Sequence, residues 1–141
     1  MEIINLEQFN NRIAFEIGTK VIDLAKSRNQ YIAIEIIRLN HTVFLYVDDT
    51  LSMDKNNWLR RKSNVSKQLG RSSLSVKNSL LNSNTTLYEK YGLNENDYTA
   101  KGGSIPIFVK EAGMVAIITV SGLQDEEDHN IIIEALENYL K

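Results

Sequence analysis

A chain of 141 residues with a net charge of −2 and no cysteine has the length of one ordinary domain built around a single core. The lack of cysteine excludes a disulfide framework, thiolate chemistry and cysteine–zinc centres, and it fits a reducing compartment. The nearly balanced charge gives no basic field for non-specific binding to nucleic acid or to an anionic membrane.

The amino terminus, MEIINLEQFNNR, carries two acids and no apolar leader segment. Nowhere does the chain reach the roughly 18 consecutive apolar residues of a membrane span, so a soluble cytoplasmic protein is expected. Leu6, Phe9, Ile13, Ile17, Val21 and Leu24 recur at spacings of three and four, which predicts an amphipathic helix over about residues 6–27 with Asn5 and Gln8 as its capping box. YIAIEIIRL and TVFLYVDD follow, rich in β-branched and aromatic residues, and Asn40-His41 between them predicts a hairpin turn. Glu35 interrupts an otherwise apolar strand and suits an exposed edge position.

DDTLSMDKNN reads as a loop, with Asp54 or Asn56 as the N-cap of a long helical region. Its stripe runs through Trp58, Val65, Leu69, Val76 and Leu80, with Ser72 and Ser73 as small members. TTLYEKYG adds a turn or two of helix stopped by Gly92, and LNENDYTAKGG is loop. The single proline, Pro106, opens the strand IPIFVK, where a missing N–H is tolerated at a first or edge position. Glu111-Ala112-Gly113 turns the chain into MVAIITVSG. The segment DEEDHNIIIEALENYL forms the last helix, its acidic first turn suited to the positive end of the helix dipole. Ile132, Leu136, Tyr139 and Leu140 supply its buried stripe. This order of elements predicts an α+β sandwich, a central antiparallel sheet with helices packed on it.

Three places carry potential chemistry. The helix start KNNWLRRKSNV gathers Lys55, Arg60, Arg61 and Lys62 around Trp58, an arrangement that suits an anion or, equally, a solvated basic face or intersubunit salt bridges. Lys62 borders the apolar stripe and can extend its stem along it, whereas Arg60 points away. Gly102-Gly103 permits a close backbone approach to a carboxylate or phosphate, although it matches neither a P-loop nor a dinucleotide fingerprint. Ser121-Gly122 ends a strand just before the acid-opened helix. Asp125 and His129 share a helix face, but two histidines in the whole chain do not fill a recognised metal site. A Ser-His-Asp triad from Ser104 or Ser121 with His129 and an acid lacks the GxSxG elbow. The balance favours binding over catalysis.

WLRRKSNV, GGSIPIFV and VSGLQDEEDH, in that order, resemble the HbpS-like family, also called GlcG-like or haem-degrading-domain proteins, and within it a branch of short cytosolic proteins of an uncharacterised family. The resemblance covers about residues 32–136. It implies a profilin-like fold spanning residues 1–141, a small-molecule pocket and assembly into homodimers or larger rings. Relatives are associated with haem binding or degradation, with corrinoid-enzyme partners and with glycolate-utilisation operons. The family's pocket and signature positions fall here on Trp58, Arg61, Lys62, Gly102, Gly103, Ser121, Gly122, Asp128 and His129. Lys101 stands where this branch commonly has a histidine before the glycine pair, and Asp48-Asp49 with SMDKNN replaces a proline- and glycine-bearing loop. The expected function is a homo-oligomeric protein binding haem or another small anionic ligand, with Lys62 and Arg61 pairing its charge, Trp58 as apolar wall and the Gly102-Gly103 backbone closing over it. A haem-degrading or redox-linked enzyme and an oligomeric scaffold are the alternatives.

Overall fold

The computed structural model describes residues 1–140. In chain order these form β1 (Ile4–Leu6), α1 (Asn11–Ser27), β2 (Ala33–Arg38), β3 (His41–Val47), α2 (Lys55–Leu69), α3 (Ser73–Asn82), α4 (Leu87–Tyr91), β4 (Ser104–Val109), β5 (Gly113–Ser121) and α5 (Asp125–Leu140). The strands make one five-stranded sheet in the order β1-β4-β5-β2-β3. The two hairpins, β2-β3 and β4-β5, join through antiparallel pairing of β2 with β5. β1 adds a short parallel edge along β4. The α+β architecture of a sheet with helices packed on it is thus present, with β1 as an extra element.

Strand alternation builds the two layers. Ile34, Ile36, Ile105, Ile107, Ile118 and Val120 turn to one face, where they form the main core with Ile17 and Val21 of α1 and Ile131 and Ile132 of α5. Their alternates, among them Ile37, Ile117, Thr119 and Ser104, face the side on which α2 packs against β4 and β5. That side is partly polar: the buried Thr119 hydroxyl donates to Ser104 Oγ, and the Ser104 amide donates to Ser73 Oγ. A smaller apolar cluster lies under α3 and α4, built from Val65, Val76, Leu80 and Leu87.

Several boundaries differ from the sequence expectation for identifiable reasons. Leu6 ends a strand, and α1 starts five residues later with Asn10 as its cap, whose carboxamide oxygen accepts the Ile13 amide. The first hairpin turns at Leu39 and Asn40, both with positive φ, so His41 is the first residue of β3. The long middle helix is two helices: Gly70 takes a left-handed φ of 70° and closes α2, and Ser72 caps α3 by accepting the Ser75 amide. Because Ser72 is fully buried, Ser72→Ala should cost about 1–2 kcal/mol, measurable as a lowered urea midpoint. Asp54 occupies the N-cap position of α2 without a side-chain capping bond. Leu140, expected in the buried stripe of α5, is exposed.

Pro106 is the third residue of β4, with β4 flanked on both sides. The Ser104 amide points away from β5, toward Ser73, and two residues on the Pro106 nitrogen faces the same way. β1 begins only opposite Ile107, so no ladder bond is lost. The tolerance expected of an edge therefore holds locally.

Candidate functional site

The nine residues singled out from the sequence fall into two groups that meet along α2. Trp58, Arg61, Lys62 and Val65 stand three and four residues apart on that helix, which sends Lys62 inward and leaves Trp58 and Arg61 half-buried on the flank.

The inner group centres on an ion pair. Lys62 is 3% exposed and Asp128 2%. The ammonium donates to Asp128 Oδ2 at 2.9 Å and to the Val120 carbonyl at 3.0 Å. The other carboxylate oxygen, Oδ1, accepts the Leu123 amide at 3.0 Å. Burial pushes the Asp128 carboxyl up to about 6, although the Lys62 charge, the hydrogen bond from Lys62 and the Leu123 amide all pull the other way. Lys62 thus ties α2 to the end of β5 and to α5, and its charge is met inside the protein.

The glycine pair is built around the same strut. A Cβ on Gly103 would stand 2.4 Å from the Val120 carbonyl oxygen and 3.0 Å from Lys62 Nζ, and Gly103 has a φ of +128°. At Gly102 a Cβ would meet the Asp125 carbonyl oxygen at 2.4 Å. Both glycines are buried, so their close approach is to β5 and the start of α5. Ser121 ends β5 opposite Ala33 and is buried. Gly122, with a φ of +123°, passes close to the Tyr31 carbonyl on the way into α5. His129 is also buried, its Nδ1 without a hydrogen-bond partner among the described residues, and burial lowers its pKa to about 4. It is therefore neutral at physiological pH. Asp125 turns instead to Lys77, at 2.7 Å. Burial raises its carboxyl, but the Lys77 hydrogen bond and the Gly102 amide outweigh this and hold it below the usual range. Among the described residues no cluster of three His, Cys, Asp or Glu is placed to hold a metal ion.

The outer group opens onto solvent. The Arg61 guanidinium carbon and the Lys101 ammonium each lie 4.9 Å from the centroid of a Trp58 ring. Two cations over one indole are held by the ring's negative face. Arg61 Nη2 also donates to the Glu95 carbonyl, and the Arg61 carbonyl accepts the Thr99 amide, which fastens the loop of residues 93–101 to α2. This cation–aromatic cluster borders a groove of about 700 Å³. Leu80, Leu87, Leu93 and Ala100 give it apolar walls, Tyr88 and Tyr98 add phenol groups, Glu95 adds an acid, and Lys77 reaches the lining while paired with Asp125. The volume lies within the range of about 300–1,000 Å³ for small-molecule sites. The chemistry of the lining suits a molecule with an apolar body and one or two negative groups.

Lys77 and Tyr98 carry no functional signal in the sequence, and Lys101 stands out there only as a departure from the histidine common before the glycine pair. The groove joins residues from α2, α3, α4 and the following loop, and the only local hint is the apolar spacing of Leu80 and Leu87, which also reads as ordinary core. Arg60, by contrast, is spent on Asp97 and Asn57 at the surface. His41 stands exposed on β3, and neither histidine lines the groove.

Comparison with known proteins places this geometry in a family context. A family model described as haem degrading protein HbpS-like matches residues 9–137. A UPF0303 protein of Zymomonas mobilis is 36% identical, over 99% of this chain and 75% of its own length. Among solved structures, the Ybr137w protein is 27% identical with a TM-score of 0.88, covering 96% of this chain and 80% of that one. A PduOC–heme complex shares the fold at 10% identity and a TM-score of 0.76, covering 92% of this chain and 93% of that one. Among the described residues no helix is long and apolar enough to cross a membrane.

Proposed function

The chain belongs to the HbpS-like family, and from that premise we propose that it is a self-associating protein that binds a small anionic molecule, haem or one chemically like it, in the groove beside Trp58. The observation that carries this reading is the pair of cations, Arg61 and Lys101, held over Trp58 at the rim of an apolar groove. Charge-assisted hydrogen bonds from such groups recognise carboxylates, and the indole and the leucines offer flat apolar contact to the body of the ligand. A protein of the same fold has been solved with heme.

The cations and apolar walls of the lining support haem as the ligand. The two propionates would meet Arg61 and Lys101, and the macrocycle would lie along the leucine wall. No histidine lines the groove, so the fit rests on these contacts and on the two tyrosines as oxygen donors. Lys62, whose charge is taken by Asp128, serves this reading by fixing α2, and with it Trp58 and Arg61, against the sheet.

Trp58 is the only tryptophan in the chain, so it reports on the groove directly. Haemin titrated into the protein should quench Trp58 fluorescence to saturation with a shifted Soret band. Arg61→Ala should raise the dissociation constant about tenfold, the equivalent of one charge-assisted hydrogen bond. A wild-type protein that leaves both signals unchanged, or an Arg61→Ala variant that binds equally well, would end this reading.

A further inference from the structure

We propose that β3 is the self-association surface of the protein, pairing antiparallel with β3 of a second copy so that two sheets become one. The inference rests on the reading that the chain self-associates, and names where.

β3 is the outer strand of the sheet, next to β2 alone. Edge strands are usually blunted by charges or proline, because their free N–H and C=O groups are a template for another chain. The seven residues of β3, HTVFLYV, contain no proline, lysine, arginine or acid. Its one irregularity is the register shift opposite Ile36 and Ile37, between Phe44 and Thr42, which leaves the stretch from Phe44 to Val47 regular.

The backbone shows which groups are free. The Asp48 amide donates to the Ile32 carbonyl. With the observed register this makes Ile34·Tyr46 and Ile36·Phe44 the bonded pairs of the ladder, since bonded and non-bonded pairs alternate. The N–H and C=O of Leu45 and Val47 therefore project away from β2, into the open edge.

A two-fold axis beside Leu45 satisfies them. Leu45 of one copy then exchanges both hydrogen bonds with Leu45 of the other, and Phe44 lies across from Tyr46 on either side of the axis. Aromatic cross-strand pairs of this kind stabilise antiparallel sheets. Antiparallel pairing also brings the His41 end of each strand to the Asp48-Asp49 end of its partner, which keeps the two acidic ends apart. Apolar surface is already exposed on both faces of this edge. Leu45 is 52% exposed on one face, and on the other Phe15 of α1 is 61% exposed with its ring edge-on to Phe44, centroids 6.0 Å apart. A second copy covers both together.

The chain's freedom from cysteine makes the test direct. In the proposed register the two Leu45 Cα atoms stand about 5.5 Å apart, as bonded antiparallel pairs do, which is within reach of a disulfide. Leu45→Cys, oxidised with copper–phenanthroline, should run as a covalent dimer on a non-reducing gel, far above an Asn130→Cys control on α5. Cross-linking no greater than that control overturns the contact. Leu45→Lys, which places two ammonium groups together while leaving the monomer's own ladder intact, should halve the mass seen by sedimentation equilibrium, and a mass unchanged from wild type overturns the contact as well. A wild-type protein that sediments as a monomer at high micromolar concentration removes self-association altogether, whereas a wild-type oligomer insensitive to Leu45 removes only this interface.

Discussion

Lys62→Met should destabilise the protein by about 3–5 kcal/mol near neutral pH, because it strips the counter-ion from a carboxylate that is out of water. The pair it breaks is buried on both sides, at 3% and 2% exposure, with a contact of 2.9 Å. Methionine preserves most of the stem, so the loss is of charge pairing and of the hydrogen bond to Val120, with little change in volume. The pH dependence has a definite sign. Asp128 has a folded pKa of about 6, above the ordinary carboxylate value of 3.8. A carboxyl raised on folding contributes stability that is fully present below the unfolded value and is lost as pH rises through the folded one. Removing Lys62 removes a pull toward the charged form, so in Lys62→Met this loss moves to higher pH and deepens. The variant's deficit relative to wild type should be larger at alkaline than at acid pH and shrink as Asp128 takes up its proton.

The partner substitution separates pairing from packing. Asp128→Asn keeps an oxygen for the Leu123 amide but leaves the Lys62 ammonium buried without a counter-ion. Each single variant therefore strands one charge, and the double variant Lys62→Met/Asp128→Asn strands none. Urea midpoints should place the double variant at least 2 kcal/mol above the sum of the singles, the size of coupling that contacting groups show. Strict additivity would mean that the two groups do not depend on each other.

This ion pair also marks how far the sequence could be read. The hairpins, α5 and the amphipathic part of α1 follow from apolar periodicity alone, because each buries one face against the sheet. β1 does not, since three residues cannot display a period and Leu6 suits the helical spacing as well as it suits a strand. The break between α2 and α3 is written in Gly70 and Ser72, but the apolar spacing carries across the kink and hides it. At the site, proximity to the apolar stripe placed Lys62 at the boundary of the core. What the sequence does not display is Asp128, 66 positions away, as the group that meets it. The first turn of α5 carries four acids, and helix-dipole reasoning treats them alike. Only the packing of α5 on β5 turns Asp128 inward and leaves Glu126 and Glu127 in solvent. The groove was equally out of reach, because Trp58, Lys101 and Leu87 converge from three separate segments.

Gly103→Ala should be more damaging than either half of the ion pair, with a loss beyond about 4–5 kcal/mol and little folded protein at 37 °C. Gly103 donates nothing from a side chain, and its importance is entirely in what approaches it. Its carbonyl accepts the Val120 amide at 2.8 Å, while a Cβ would sit 2.4 Å from the Val120 carbonyl oxygen. The same carbonyl accepts the Lys62 ammonium. A methyl group there must push β4 from β5 or displace the carbonyl that anchors Lys62, and neither neighbour is the loose end of a flexible chain. The backbone adds to the cost, since a φ of +128° is one that side-chain-bearing residues rarely adopt. Gly113→Ala gives the reference for a positive-φ glycine with no contact to lose. Gly113 has a φ of +81° and opens onto free space, so alanine there should cost only about 1–2 kcal/mol, the left-handed penalty alone. Urea denaturation of the two variants side by side measures the difference. A Gly103→Ala variant within about 1 kcal/mol of Gly113→Ala would mean that β4 and β5 have room to part, and that Gly103 is needed for its φ and nothing else. A wide gap instead ties the Gly102-Gly103 pair to the joint where α2, β5 and α5 are held together, the joint on which the position of Trp58 and Arg61 at the groove depends.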